Sequence, residues 1–405
     1  MSEWIKAEEY CISVFDGTHD TPKATETGYK LVTSKNILSN TLDLNSAYFI
    51  SEEDFVNINK RSKVKQYDIL FSMIGTVGSL YFETSDTIDY AIKNIGVFSC
   101  GDKEKAEWLY YYLQSSYAQQ YIKRYLNGAV QKFLPLKGLR EFPVPQFNKE
   151  LHNRIKILLN IDQKIQTNNQ INQELEAMAK TLYDYWFVQF DFPDQNGKPY
   201  KSSGGKMVYN PELKREIPEG WGVEKLGDIT ICHDSKRVPL SSNDREFVKG
   251  KIPYYGATGI MDYVNDYIFD GDYVLMAEDG SVMTEKGTPI LQRISGKNWV
   301  NNHAHVLEPV KNHSCKLLMM LLKDVSVIKI KTGSIQMKIN QENMNKIVVP
   351  AIPLELLFEI NQKLEVIDKQ QLNLIEENKQ LTQLRDWLLP MLMNGQVKVE
   401  WGKEA

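Results

Sequence analysis

The sequence predicts an α+β chain. Two similar mixed α/β domains are expected, held apart by two long antiparallel coiled-coil helices in a pseudo-two-fold tandem repeat. The first observation behind this is an internal repetition. Residues 127–135 read "NGAVQKFLP" and residues 332–340 read "TGSIQMKIN". Aligning Gly128 with Gly333 brings Gln131 onto Gln336, and "EFPVP" (141–145) onto "KIVVP" (346–350). Glu150-Leu151 then meets Glu355-Leu356, and Ile155 meets Ile360. One residue of slip brings Ile161-Asp162 onto Ile367-Asp368, and Leu175, Met178 and Leu182 onto Leu381, Leu384 and Leu388. Matches held in register over such a length mark a tandem duplication.

The second observation is a heptad seam at the end of each half. Ile161, Ile165, Asn168, Asn172, Leu175, Met178 and Leu182 alternate spacings of three and four. So do Ile360, Leu364, Ile367, Gln371, Leu374, Asn378, Leu381, Leu384 and Leu388. That spacing predicts coiled-coil helices over 150–187 and 355–389. Asn172 and Asn378 hold equivalent seam positions and are expected to set helix register, because one buried Asn layer fixes alignment at a cost in stability. Pro390 and Gly395 are expected to end the second helix.

The third observation is a matching set of short strands. "YDILFSMIG" (67–75), "GSLYF" (78–82) and "IGVFSC" (95–100) read as strands in the first half. "DYVLMAEDG" (272–280), "TPILQRIS" (288–295) and "AHVLEP" (304–309) do so in the second. An amphipathic helix follows each set. One lies near 103–122, with Trp108, Leu109, Tyr112 and Leu113 on one face, and the other near 313–324. Gly, Pro and Ser crowd 191–221, a connector with a hairpin expected at Asn196-Gly197. The resulting boundaries are a domain at 1–148, a helix at 149–190 and a connector at 191–218. A second domain at 219–352, a second helix at 353–393 and a tail at 394–405 complete the chain.

Composition narrows the function. With 405 residues, 42% of them hydrophobic and 25% charged, the chain is ordinary globular material. No stretch approaches the roughly 20 apolar residues of a membrane span, and "MSEWIKAEEY" has no apolar secretory core. Cys11, Cys100, Cys232 and Cys315 are scattered, which favours reduced thiols in a cytoplasm over a disulfide or zinc framework. Net charge is −4; residues 1–145 hold 16 basic against 18 acidic side chains, and 219–350 hold 16 of each. A phosphate-binding surface must therefore come from local clusters or from a partner. The motifs of common chemistry are missing together. There is no [DN]-P-P-[YF] run and no P-loop, since Tyr200 stands where "SGGK" (203–206) would need its first Gly.

On this duplicated layout stand "DGTHDTPK" (16–23), "NGKPYKSSGGKMV" (196–208), "IPEGW" (217–221), "PYYGATGIMDYVNDYIFDGDYVLMAEDGS" (253–281) and the two G-x-x-Q segments. In that order they resemble the specificity (S) subunits of type I restriction–modification systems, the HsdS family. The resemblance implies two target recognition domains, each reading one half of a bipartite, asymmetric double-stranded DNA target. It implies that the helices set the unread spacer and dock two methyltransferase subunits that methylate adenine, while restriction subunits cleave at a distance. It implies a non-catalytic subunit without a cofactor of its own; S-adenosylmethionine, ATP and Mg belong to partners. The alternative is a single-chain nuclease or methyltransferase with an unrecognised active site.

Candidate DNA contacts follow from residue chemistry. In the loop "GTHDTPK", Thr18, His19, Thr21 and Lys23 can meet phosphates or base edges, or the loop can be a turn held by its own side chains. Tyr254, Tyr255, Gly256 and Thr258 offer aromatic reach and close backbone approach, or a turn packed on the core. Asp279 and Ser281 can face bases, as a carboxylate accepts from cytosine N4; a hairpin turn is the alternative. Asn302 and His303 are further candidates. His303 and His305 share a strand face, but with no third ligand no metal site is expected. Basic clusters occur at Lys60, Arg61, Lys63 and Lys65, at Lys123 and Arg124, and at Lys329, Lys331 and Lys338. These can track phosphates or form a solvated face. Gln131 and Gln336 recur in both repeats, which favours docking of each domain on its helix over DNA contact.

Overall fold

The structure, a computed structural model, describes residues 4–38, 40–127, 133–333 and 337–397. The chain divides into two compact units, Met1–Thr167 with Asn378–Ala405, and Asn168–Glu377. Each long helix therefore contributes one stretch to each unit.

The first unit closes on a ladder between its ends. Trp4–Lys6 runs antiparallel to Pro143–Pro145. Its main sheet orders four strands as Ser13–Asp16, Ile95–Ser99, Ile69–Ser72 and Leu80–Phe82, all antiparallel. The two central strands are buried along their whole length, which is why they read as continuous apolar runs rather than alternating ones. In a second sheet, Tyr29–Thr33 lies between Tyr48–Ile50, antiparallel, and Tyr90–Lys93, parallel. Between Lys93 and Ile95 the chain changes sheets through Asn94, at φ +53°. Asn tolerates that left-handed conformation better than most residues. The helix Lys103–Gln114 is capped by Asp102, whose carboxylate accepts from the Lys105 N–H at 2.8 Å. It buries Trp108, Leu109, Tyr112 and Leu113. The single helix expected over 103–122 is two, because Ser115 is extended and a second helix, Ser116–Asn127, begins after it.

The second unit repeats this wiring. Gly222–Lys225 pairs antiparallel with Val348–Ala351. The main sheet runs Thr230–Cys232, Ala304–Pro309, Tyr273–Ala277, Leu291–Ile294, the same order of equivalent strands. Lys249–Tyr255 takes the place of Tyr29–Thr33, antiparallel to Ile260–Val264 and parallel to Lys297–Val300. The helix Cys315–Leu322 covers the sheet, capped by Ser314, whose hydroxyl accepts from the Leu317 N–H at 3.1 Å. The stretch 191–221 turns at Asn196-Gly197 as its composition predicts, with Asp194 accepting from the N–H groups of Asn196 and Lys198 at 2.8 Å each. It is no free linker. Phe192 stacks on Trp221 and Tyr200, and Trp186, Phe187 and Phe190 are buried beside them.

The long helices span Lys149–Tyr183 and Leu354–Met393. Asn148 caps the first, accepting from the Leu151 N–H at 3.0 Å. Within each unit their stretches run antiparallel. In the first unit Arg385 donates to Asp162 at 2.8 Å, and Leu388 and Leu392 join the core of Leu151, Ile155 and Leu158. In the second, Asn168 donates to Glu377 at 2.7 Å and Gln371 to the Asn172 carbonyl at 3.2 Å. Two expectations need correction. Met178 and Leu384 are 60% and 42% exposed, while Ala179 is fully buried. A straight helix drifts against a strict seven-residue repeat, which carries the seam off those positions. Pro390 lies inside the second helix, which ends at Met393, with Gly395 at φ +69° beyond it.

Leu364 is fully buried in the second unit and Ile375, on the same helix, is 58% exposed. Leu364→Ala is expected to cost about 2–5 kcal/mol, and Ile375→Ala less than about 0.5 kcal/mol. Denaturant unfolding of the two variants checks this; equal losses would contradict the packing described.

Candidate nucleic-acid interface

In both units the polar groups gather where the first strand of the main sheet ends and the chain passes from the parallel strand back into that sheet. In the first unit that strand ends at Asp16. The loop 17–23 follows, and Gly17 has no room for a side chain, since a Cβ there would stand 2.4 Å from the Ile92 carbonyl oxygen. Thr18 is pinned by its N–H to that same carbonyl at 3.0 Å, and its hydroxyl accepts from the Asp20 N–H at 3.1 Å. His19 is exposed, with Nδ1 at 2.8 Å from Asn94 Oδ1 and Nε2 at 3.0 Å from Asp16 Oδ2. Thr21 receives the Lys93 ammonium. Arg61 reaches back from the helix Glu52–Ser62 to the Gly17 carbonyl at 3.4 Å and to Asp16 at 3.7 Å. Thr18, His19, Thr21, Asn57 and Arg61 line a cleft of about 600 Å³. On the other side of His19 a cleft of about 580 Å³ is walled by Ile74, Phe133 and Leu136, with Asn94 at its edge.

Of the other candidates in this unit, Lys23, Lys63 and Lys65 are exposed, as are Lys123 and Arg124 on Ser116–Asn127. Lys60 is exposed and donates to Asn57 at 2.9 Å. Gln131 lies outside the described residues, as does Gln336 in the second unit. Among the described residues, the first domain is seated on its helix by buried His152, which bonds buried Glu107 at 2.8 Å, and by the Tyr111 hydroxyl, which donates to Asp162.

In the second unit the equivalent place is built on buried charge. Asp234 follows the strand Thr230–Cys232. Its carboxylate meets His305 Nδ1 at 2.5 Å and Arg237 at 3.2 Å. Arg237 also donates to Glu278 at 2.6 Å and to the Ala304 carbonyl at 2.7 Å. Glu278 takes Lys338 at 3.0 Å, and His305 Nε2 donates to the Ile339 carbonyl at 2.8 Å. Burial raises the Asp234 carboxyl, but the His305 hydrogen bond and charge, with Arg237, hold it below its usual range. Burial likewise opposes Glu278, and its bonds to Arg237 and Lys338 prevail, leaving it lowered. Above this network sits an exposed pair, His303 Nδ1 and Asp279 Oδ1, 2.5 Å apart. Ser281, Asn302 and Thr258 are exposed, Lys329 is exposed and Lys331 half-buried.

Two expected contacts are corrected. Tyr254 is 1% exposed; its hydroxyl accepts from the Leu240 N–H at 2.9 Å, and the Arg245 guanidinium lies 5.3 Å from its ring centre. It is core, because the strand Lys249–Tyr255 is internal to its sheet and turns that ring inward. Gly256 is buried as well, and a Cβ there would meet Sδ of Met261 at 2.4 Å, the end of an exposed, flexible side chain that can shift. Tyr255 is half-buried against Phe269 and Val300. The two histidines read as one strand face part company, His303 outward to Asp279 and His305 inward to Asp234.

Cys232, Asp234 and His305 bring possible ligand atoms within 4.8 Å of one another. Their lone pairs are already in use. Arg237 and His305 occupy the carboxylate, and burial, with the charge of Asp234 beside it, pushes the Cys232 thiol up to about 12, so it stays protonated. The donor set is that of a salt-bridged core. Residues that the sequence reading passed over are Asp16, Lys93, Asn94, Asp234, Arg237 and Glu278. Only Asn94 carried a signal, an Asn between two strand runs.

The family model for the type I restriction modification DNA specificity domain matches this chain twice, over residues 18–177 and 218–383. The chain is 26% identical over 318 residues to the type I restriction enzyme MjaIX specificity subunit of Methanocaldococcus jannaschii, covering 73% of this chain and 70% of that one. It is 23% identical over 411 residues to the HindI specificity subunit of Haemophilus influenzae, covering 83% and 88%. Among solved structures, the type I restriction–modification S subunit from M. genitalium shares its fold at a TM-score of 0.50 and 16% identity, covering 96% of each chain. Two tandem matches, on two units of one topology that each carry a polar cluster at the same place, make this chain a member of the type I restriction–modification specificity subunit family.

Proposed function

We propose that each unit reads one half of a bipartite, asymmetric DNA target. One observation carries the reading: the two units share strand order, yet the groups at their equivalent loops differ. Thr21, His19 and Asn94 stand in one, and Asp279, His303 and Lys338 in the other. A shared scaffold with different donors and acceptors is what reading two different half-sites requires. Exposed Lys23, Lys60, Lys63, Lys123, Arg124 and Lys329 would meet phosphates, which position the protein without specifying sequence.

The long helices, in this reading, set the length of unread DNA and hold two methyltransferase subunits. Those subunits would bind S-adenosylmethionine and methylate adenine. Separate restriction subunits would use ATP and Mg to cleave at a distance. The chain itself would act in the cytoplasm without a catalytic group. No helix among the described residues is long and apolar enough to cross a membrane.

Modularity tests the reading. Exchanging 1–145 for the equivalent domain of a relative, with the methyltransferase partner present, should change one half of the methylated sequence and leave the other. Sites mapped across a genome decide it, and a change in both halves at once would refute independent reading. Affinity provides a second test. With a net charge of −4, the chain alone makes few net phosphate contacts and should bind DNA weakly and with little specificity. Nanomolar, sequence-specific binding by the isolated chain at about 150 mM salt would count against a role for the partner.

A further inference from the structure

We infer that Asp279 is a specificity-determining residue of the second unit, reading the exocyclic amino group of a cytosine in the major groove, with His303 as its positioning residue. This rests on the DNA-reading function proposed above.

The first argument concerns hydrogen-bond polarity. An ionised carboxylate only accepts, so the 2.5 Å bond between Asp279 Oδ1 and His303 Nδ1 places the proton on Nδ1. The second carboxylate oxygen, Asp279 Oδ2, is left as an acceptor whatever the charge on His303. In the major groove only cytosine N4 and adenine N6 donate. Adenine sets its N7 acceptor beside that donor, which repels a carboxylate, whereas cytosine does not.

The second argument concerns positioning. Asp279 and His303 are 33% and 47% exposed at the side chain, yet the backbone under them is fixed. Glu278 donates its N–H to the His303 carbonyl at 2.9 Å, and Gly280 donates to Met337 at 3.0 Å. His303 N–H is held by Asn301 Oδ1 at 2.8 Å. Below, Arg237, Asp234, His305, Glu278 and Lys338 tie the segments together. Buried ion networks are seldom more stable than apolar packing of the same volume. What this one supplies is a rigid floor, and reading groups require a geometry held to about half an ångström.

The test is selection from a randomised DNA duplex library by the full chain with its methyltransferase partner. The wild type should enrich a cytosine at one position of one half-site. Asp279→Asn, whose amide pairs with adenine N6 and N7, should move that position to adenine. Asp279→Ala should lower discrimination there by about 10-fold or more. His303→Asn, which keeps an N–H near the place of Nδ1, should retain the cytosine, and His303→Ala should broaden it. The other half-site must persist in every variant, which shows that each has folded and assembled. An unchanged target in both Asp279 variants overturns the inference, as does a loss equal for all four bases. A wild-type chain that enriches no sequence at all fails the DNA-reading proposal itself, and this inference with it.

Discussion

Each unit depends on a short ladder that joins its first strand to the strand just before a long helix. In the first unit Trp4–Lys6 meets Pro143–Pro145, and the Ala7 N–H bonds the Phe142 carbonyl at 2.8 Å. In the second, Gly222–Lys225 meets Val348–Ala351, and Leu226 bonds Ile347 at 2.8 Å. Closing a loop of such length costs entropy that grows only slowly with length. A few ladder bonds and the cores behind them offset it. Because the last strand runs directly into the helix, the ladder also ties each sheet, and the loops at its far edge, to that helix.

Polar groups then specify how each domain rests on its helices. In the first unit Asp162 is shared by Tyr111 and Arg385, and His152 meets Glu107. In the second, buried Lys316 reaches Glu176 and Gln371, and Arg293 bonds Asp368 at 3.0 Å. Asp162 and Asp368 are equivalent in the repeat, yet Asp162 bonds both a domain tyrosine and the other helix, while Asp368 bonds an arginine on a strand of its domain. Duplication supplied the carboxylate, and the surroundings of each copy decided its partner. A buried ion left unpaired is costly, so these bonds select one seating among the many that apolar packing alone would allow.

The reading loops show the same division between scaffold and surface. Thr18 is fixed by the Ile92 carbonyl, Gly17 by the Ile95 carbonyl, and Asp279 by the segment around Met337 and Lys338. What differs is which side chains emerge. Tyr254 shows the limit of composition as a guide: an aromatic beside glycines suggests a groove contact, but strand alternation turned it into the core.

The sequence by itself determined the duplication, the α+β class, the two helices and most strands, because apolar periodicity is local and survives divergence. It pointed to the loop 17–23 and to Asp279 through their turn chemistry, and to His303 through its place on a strand face. Only the tertiary structure decided that Asn172 faces Gln371, that Ala179 replaces Met178 in the core, and that Asp234, Arg237, His305 and Glu278 form one network. Apart from Asp234 and Arg237, three residues apart, these partners lie far apart along the chain. Their pairing depends on which strands are neighbours and on helix drift, and neither leaves a periodic signal in the residues that meet.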